Sequence, residues 1–158
     1  MAQLLLLSKN PYWAANVLIA GQNKKVVIKN EKSGEDETVQ VLKDTEKNLK
    51  LLADSWRMAQ EIDKAIPVLE KAAAMSKNGD TYVLLGNLYL FEDRMKDSIR
   101  AIEAGLKKEK VKSRSQAQLV LGQAHFELEN FDEAKKQFRA AARDKDKRIK
   151  KTANSWIK

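Results

Sequence analysis

The chain of 158 residues contains no cysteine, which excludes disulfide bonds, a cysteine nucleophile and thiolate zinc sites. Its single histidine, His125, leaves no multi-histidine metal site and no Ser-His pair unless a second chain contributes. No run approaches the ~20 apolar residues that a membrane-spanning helix needs, and the densest, Leu4 to Leu7, is far shorter. With two prolines, six glycines and 43% hydrophobic residues, the composition favours an ordered protein with a real core.

The net charge of +8 is concentrated in two segments. Five basic residues lie in 105–114 against Glu109, and seven lie in 143–158 against Asp144 and Asp146. The simplest interpretation is a solvated connection and the solvated face of a terminal helix. Contact with an acidic protein, an anionic surface or nucleic acid remains an alternative, although no aromatic residue is interleaved in 107–114.

An internal repeat organises the rest of the chain. Leu85-Gly86 and Leu121-Gly122 are 36 residues apart, and each pair lies in a run with helical spacing that is followed by a polar turn and a second such run. Windows that begin at Glu46, Gly79 and Ser115 share this layout. In each window, positions 8, 20 and 27 carry small residues: Ala53, Ala65 and Ala72; Gly86, Ser98 and Gly105; Gly122, Ala134 and Ala141. Small residues at this spacing let two antiparallel helices approach closely.

This layout resembles the tetratricopeptide repeat, a helical hairpin of about 34 residues. The resemblance implies an all-α fold, a right-handed solenoid of antiparallel helix pairs. The position-11 core slot, usually tyrosine in the family, is held by Trp56, Tyr89 and His125, so we interpret His125 as a structural residue. No catalytic set or phosphate-binding loop is readable, and we expect neither enzymatic activity nor a cofactor.

The same frame divides the chain into segments. We expect a partial repeat over 1–28, an exposed polar loop over 29–45, repeats over 46–78, 79–114 and 115–146, and a capping helix over 147–158. Residues 26–28 fit either a helical extension or a short extended piece. Because residue 1 falls on position 7 of the frame, we expect either an abbreviated first repeat or the C-terminal part of a longer array.

In the tetratricopeptide family, positions 2, 5, 9, 12 and 13 of the first helix line the concave face of the array. Apolar groups on a face that should be solvated suggest a partner segment. The alternative is that the C-terminal helix or the loop folds back over them. The predicted groove residues are Lys47, Lys50, Asp54, Arg57, Asn87, Leu90, Phe91, Gln116, Leu119, Gln123 and Phe126.

Two comparisons within the family refine this prediction. Lys50 and Asn87 resemble part of the clamp that grips a C-terminal carboxylate, but Asp54 stands where that clamp has an asparagine. More closely, the runs 48–56, 61–73 and 79–82 and the ending 143–158 resemble the C-terminal repeats of bacterial periplasmic proteins encoded beside TonB, ExbB and ExbD. That resemblance implies a periplasmic adaptor of an energised uptake system.

Two further hypotheses belong to other classes of function. One is self-assembly through the N-terminal edge, where Leu4 to Leu7 lack a preceding helix. The other is binding of nucleic acid or an anionic surface through residues 107–114 and 143–158. A cytoplasmic location is the alternative to a periplasmic one.

Overall fold

The computed structural model describes residues 3, 9–29, 35–112 and 114–157. Two compact units, Met1–Met75 and Ser76–Lys158, divide the chain. Within the described residues the elements are α1 (Pro11–Asn23), β1 (Lys25–Lys29), β2 (Asp36–Gln40), α2 (Glu46–Met58), α3 (Ile62–Met75), α4 (Gly79–Phe91), α5 (Met95–Leu106), α6 (Arg114–Glu127), α7 (Phe131–Ala141) and α8 (Lys147–Ile157). The predicted all-α class of paired helices is confirmed.

The first unit holds α1, a β-hairpin and the helix pair α2/α3. Strands β1 and β2 pair antiparallel, with Val26 opposite Val39 and Val27 opposite Thr38. The prediction of a polar loop over 29–45 is therefore wrong for residues 36–40, because β-branched residues in both segments favour pairing over an irregular loop. Residues 30–34, and the Leu4 to Leu7 edge proposed for self-assembly, lie outside the described residues.

The core of the first unit follows the repeat frame. Leu49, Leu52, Ala53 and Trp56 on α2 are buried against Ala65, Leu69 and Ala72 on α3. Trp56 also meets Tyr12 of α1 edge to face at 5.6 Å between ring centroids, and the Lys64 ammonium lies 4.8 Å from the Trp56 ring. The large residue at position 11 thus joins three helices.

The second unit contains the pairs α4/α5 and α6/α7 and the final helix α8. Gly79 and Gly105 face each other so closely that a Cβ atom on Gly79 would overlap the Gly105 carbonyl oxygen. A Cβ on Gly122 would lie 2.6 Å from the ring of the buried Phe138. Since real Cβ contacts are longer, these positions must be glycine to let the helices meet.

The turns inside the helix pairs also repeat. Gln60, Asp93 and Glu129 all have φ near +60° and lie at position 15 of their windows. The next residue donates its N–H to the position-11 carbonyl, as Glu61 does to Trp56, Arg94 to Tyr89 and Asn130 to His125. This is the Schellman arrangement, which ends a helix by satisfying its last carbonyls. Lys9 has the same φ at the corresponding position of the partial repeat.

The glycine contacts generate a stability prediction. We expect Gly79→Ala to lower the free energy of unfolding by about 3 kcal/mol, because the new methyl group meets backbone that cannot move aside without separating α4 from α5. Gly21→Ala is the control, since its Cβ would lie 3.2 Å from the Leu42 Cβ, a contact that a movement of a few tenths of an ångström relieves. Urea denaturation of both variants measures the difference; an equal effect would contradict the steric explanation.

The left-handed turns generate a prediction of opposite sign. Glu129→Gly should raise the free energy of unfolding by roughly 0.5–1 kcal/mol, because relief of the left-handed strain exceeds the added backbone entropy of glycine. Asp132→Gly, at the second residue of α7, should instead lower stability by about 1 kcal/mol, because it adds backbone entropy and removes an acidic side chain from the first turn of the helix. Thermal melts of the two variants compare them directly, and destabilisation by both would refute the prediction.

Candidate functional site

The predicted groove residues of the first unit lie along the length of α2. Lys47, Lys50 and Asp54 line an open depression together with Gln3, Thr45, Glu46 and Leu51. Asp54 forms an ion pair with Arg57 across 3.3 Å, so two of the predicted residues bind each other. Asp54, whose carboxylate argued against a clamp for C-terminal carboxylates, is partly exposed to solvent at this surface.

In the second unit, Gln116, Leu119 and Gln123 of α6 line another open depression. Its opposite wall is formed by Asp146, which precedes α8, and by Arg148, Ile149 and Thr152 of α8. The sequence predicts that α8 caps the array or covers groove residues, and it does not predict that α8 forms a wall of this depression. Its signal was available in the spacing of Arg148 and Thr152, which places both on one side of the helix.

Leu119 was predicted to face a partner, but it is only 5% exposed. It packs in a cluster with Ala134, Phe138 and Ala153, against which Ile149 and Trp156 also lie. The alternative of covering by the C-terminal helix is thus correct at this residue. Leu119 forms the floor of the depression rather than an exposed contact.

The other predicted residues of this unit differ in availability. Phe91, at the end of α4, is 74% exposed. Leu90 is partly buried against the core cluster around Ile102, and Asn87 donates its side-chain N–H to the Val83 carbonyl at 2.9 Å. Of these three side chains, Phe91 alone presents most of its surface to solvent.

Phe126 is 40% exposed and belongs to an aromatic cluster. Its ring meets Phe131 at 5.4 Å and Trp156 at 5.2 Å, both edge to face, while Trp156 stacks on Phe138 at 5.3 Å. Phe131, 49% exposed, was missed by the sequence analysis because it falls outside the repeat's core slots. The cluster leaves two phenylalanine rings partly open to solvent.

His125 lies beside this cluster in the position-11 slot. Its Nδ1 atom is buried without a hydrogen-bond partner among the described residues. On α7, the hydrogen bond from Gln137, aided by Lys136 and by His125, lowers the pKa of the Glu133 carboxyl. The described residues contain no group of three or more His, Asp or Glu side chains suited to hold a metal ion.

The two basic segments approach each other in the second unit. The connection from α5 to α6 is anchored by the Gly79 N–H, which donates to the Lys110 carbonyl at 2.8 Å. Ser115, at the start of α6, donates to Asp144 in the connection from α7 to α8. This hydrogen bond, with that from the Asp146 N–H, lowers the pKa of Asp144. The connections therefore lie side by side.

Comparison with known proteins agrees with this geometry. Residues 115–143 match the family model of the tetratricopeptide repeat. A MamA crystal structure aligns over 94% of this chain and 77% of that one, with a TM-score of 0.71 at 21% identity. A Podosopora anserina putative kinesin light chain with nearly identical TPR-like repeats aligns over 99% and 80%, with a TM-score of 0.63 at 13% identity.

These likenesses establish the tetratricopeptide-repeat fold. No curated protein matches the chain in sequence. Among the described residues, no helix combines the length and the apolar character needed to cross a membrane.

The link between the two connections is testable by titration. Ser115→Ala removes a hydrogen bond that favours the charged carboxylate, so the pKa of Asp144 should rise toward its ordinary value. A depressed pKa stabilises the folded state above the unfolded pKa, and that contribution disappears as the pH falls through the folded pKa. Carboxyl carbon shifts measured by NMR across the acidic range report the change. The pKa of Asp97, held low by Arg94 and Arg100, is the internal reference and should not move.

Proposed function

We propose that this chain is a non-enzymatic scaffold that binds a segment of a partner protein in the depression between α6 and α8. The observation that carries the proposal is the convergence of Gln116, Leu119 and Gln123 with Arg148, Ile149 and Thr152 around one open depression. Tetratricopeptide-repeat proteins generally mediate protein–protein interaction, and their repeats expose such surfaces without catalytic chemistry.

The lining favours an extended peptide. Gln116 and Gln123 are seven residues apart on α6, which places their amide groups about 10 Å apart along the helix axis. That distance matches about three residues of extended chain, whose backbone N–H and C=O groups an amide side chain can satisfy. Leu119 and Ile149 supply an apolar floor, and the exposed pair of Arg148 with Asp146 balances its own charge.

The depression on α2 fits the same role in the first unit. Lys47 and Lys50 border it, while Glu46 and Asp54 supply charge of the opposite sign. The mixture favours a polar segment of no strong net charge over a lone carboxylate. We infer that capture of a C-terminal carboxylate is not the function of this surface.

We further propose that the partner belongs to a TonB, ExbB and ExbD system and that the protein acts in the periplasm. The support is the resemblance of residues 48–158 to the C-terminal repeats of periplasmic adaptors, together with the tetratricopeptide-repeat fold. The periplasmic domains of ExbD and TonB are then the first candidates for the bound segment. Recovery of the native protein in the cytoplasmic fraction of its source cells would refute the location.

The binding prediction uses the two glutamines. Gln116→Ala with Gln123→Ala should weaken binding of the ExbD or TonB periplasmic domain about tenfold or more, because each amide contributes a net hydrogen-bond energy of about 1 kcal/mol. Isothermal titration calorimetry measures the affinities. Lys135→Ala with Arg139→Ala, both exposed on α7, is the matched control and should bind as the unaltered chain does.

The outcomes separate the two parts of the proposal. Equal affinity for the glutamine variant and the control would reject the depression as the binding site. If neither the ExbD nor the TonB periplasmic domain binds the unaltered chain, the proposal of a TonB-system adaptor is rejected. The scaffold proposal is then tested on other partners.

A further inference from the structure

The second unit has two edges of different composition. Successive helices in it are antiparallel, so the connections α5–α6 and α7–α8 lie at one edge and the turns α4–α5 and α6–α7 lie at the other. We call the first the connection edge, residues 107–112, 114 and 143–148, and the second the turn edge, residues 91–97 and 126–133. Gln116 at the start of α6 lines the same depression as Asp146 in the connection α7–α8, so the two connections are adjacent.

The connection edge is strongly basic. It carries nine lysines and arginines against three carboxylates. Two of those carboxylates are engaged locally: Asp144 accepts from Ser115 and from the Asp146 N–H, and Asp146 accepts from the Arg148 N–H at 2.8 Å. Among the described residues, the lysines of this edge form no ion pair with a carboxylate. Their charge is available to a partner.

The turn edge is acidic and aromatic. Residues 126–133 contain four carboxylates and no basic residue. The same segment carries Phe126 and Phe131, whose side chains are each at least two-fifths exposed. Phe91, the last residue of α4, is more exposed still. An exposed apolar surface with charged borders is typical of an interaction site.

We propose that the turn edge of one molecule docks on the connection edge of a second copy of this chain. Carboxylates would meet ammonium groups, and the open phenylalanine rings would receive lysine side chains. The chain already makes contacts of the second kind, with the Lys108 ammonium 5.0 Å from the Tyr82 ring and the Arg94 guanidinium 4.5 Å from the Tyr89 ring. This contact shares only Asp146 and Arg148 with the lining of the proposed peptide depression.

The symmetry of the contact follows from its chemistry. Because two different surfaces meet, each association leaves one edge of each kind unoccupied, so the contact propagates into short chains instead of closing as a dimer. Nucleic acid and membrane fit the connection edge less well. It offers no aromatic ring for stacking on bases, and no large apolar side chain of the described part is exposed there.

The test is charge reversal followed by mixing. In sedimentation velocity at about 50 mM salt, the unaltered chain should show a sedimentation coefficient that rises with concentration, and the rise should disappear at about 500 mM salt. Glu127→Lys with Glu129→Lys, and separately Lys110→Glu with Lys112→Glu, should each abolish the rise. An equal mixture of the two variants should restore a concentration-dependent rise that stops at pairs, because the one intact edge of each variant can meet only the intact edge of the other.

Controls and contrary results are built into the same experiment. Lys135→Glu with Arg139→Glu makes the same two charge reversals on exposed positions of α7 and should associate as the unaltered chain does. Restoration by mixing shows that both variants are folded. A monomer at all salt and protein concentrations would overturn the proposal, as would a mixture that fails to associate. Association lost only when Leu4 to Leu7 are made polar would assign assembly to the N-terminal edge. Binding of a single-stranded oligonucleotide without self-association would assign the basic edge to nucleic acid.

Discussion

The structure depends on the close approach of paired helices at sites where no side chain, or only a small one, fits between them. At the start of α4 and the end of α5, Gly79 and Gly105 bring two backbones into contact, and further along Ser98 donates to the Gly86 carbonyl at 2.7 Å. Large residues then fill the space around these contacts. A helix pair fixed this closely has few alternative arrangements, so the directions of its remaining faces are fixed as well.

The close packing of paired helices also explains why the residue at position 11 has two structural roles, of which burial of its side chain is only one. The side chain there packs between helices, while its carbonyl accepts the hydrogen bond that closes the turn. Trp56 and Tyr89 perform both roles as buried aromatic residues. The His125 carbonyl performs the second role, but within the part of the chain that the structure describes the side-chain Nδ1 is buried without a hydrogen-bond partner. The neighbouring aromatic cluster is the part of the core that α8 completes.

Much of the helical framework was predictable because the repeat places small and large apolar residues at fixed intervals along the sequence. Ala14 and Leu18, at positions 20 and 24 of the partial repeat, are buried in the helix that begins at Pro11. The β-hairpin was not predictable from that frame, since its pairing depends on two segments that carry no repeat signal. The groove was predictable only in part: Leu119 satisfies the spacing of an inner-face residue, yet its exposure depends on where α8 packs.

The charge distribution follows from the repeat as well, although the repeat does not specify it. A helical hairpin sends alternate loops to opposite edges, so a bias in one kind of loop accumulates on one side of the molecule. In the second unit the long connections are lysine-rich and the tight turns are rich in carboxylates. The lysine-rich and the carboxylate-rich runs are separate in the sequence, and the fold places them at opposite edges of the second unit. The net charge of the chain describes neither the basic edge nor the acidic edge. A partner or a second copy would contact each edge separately.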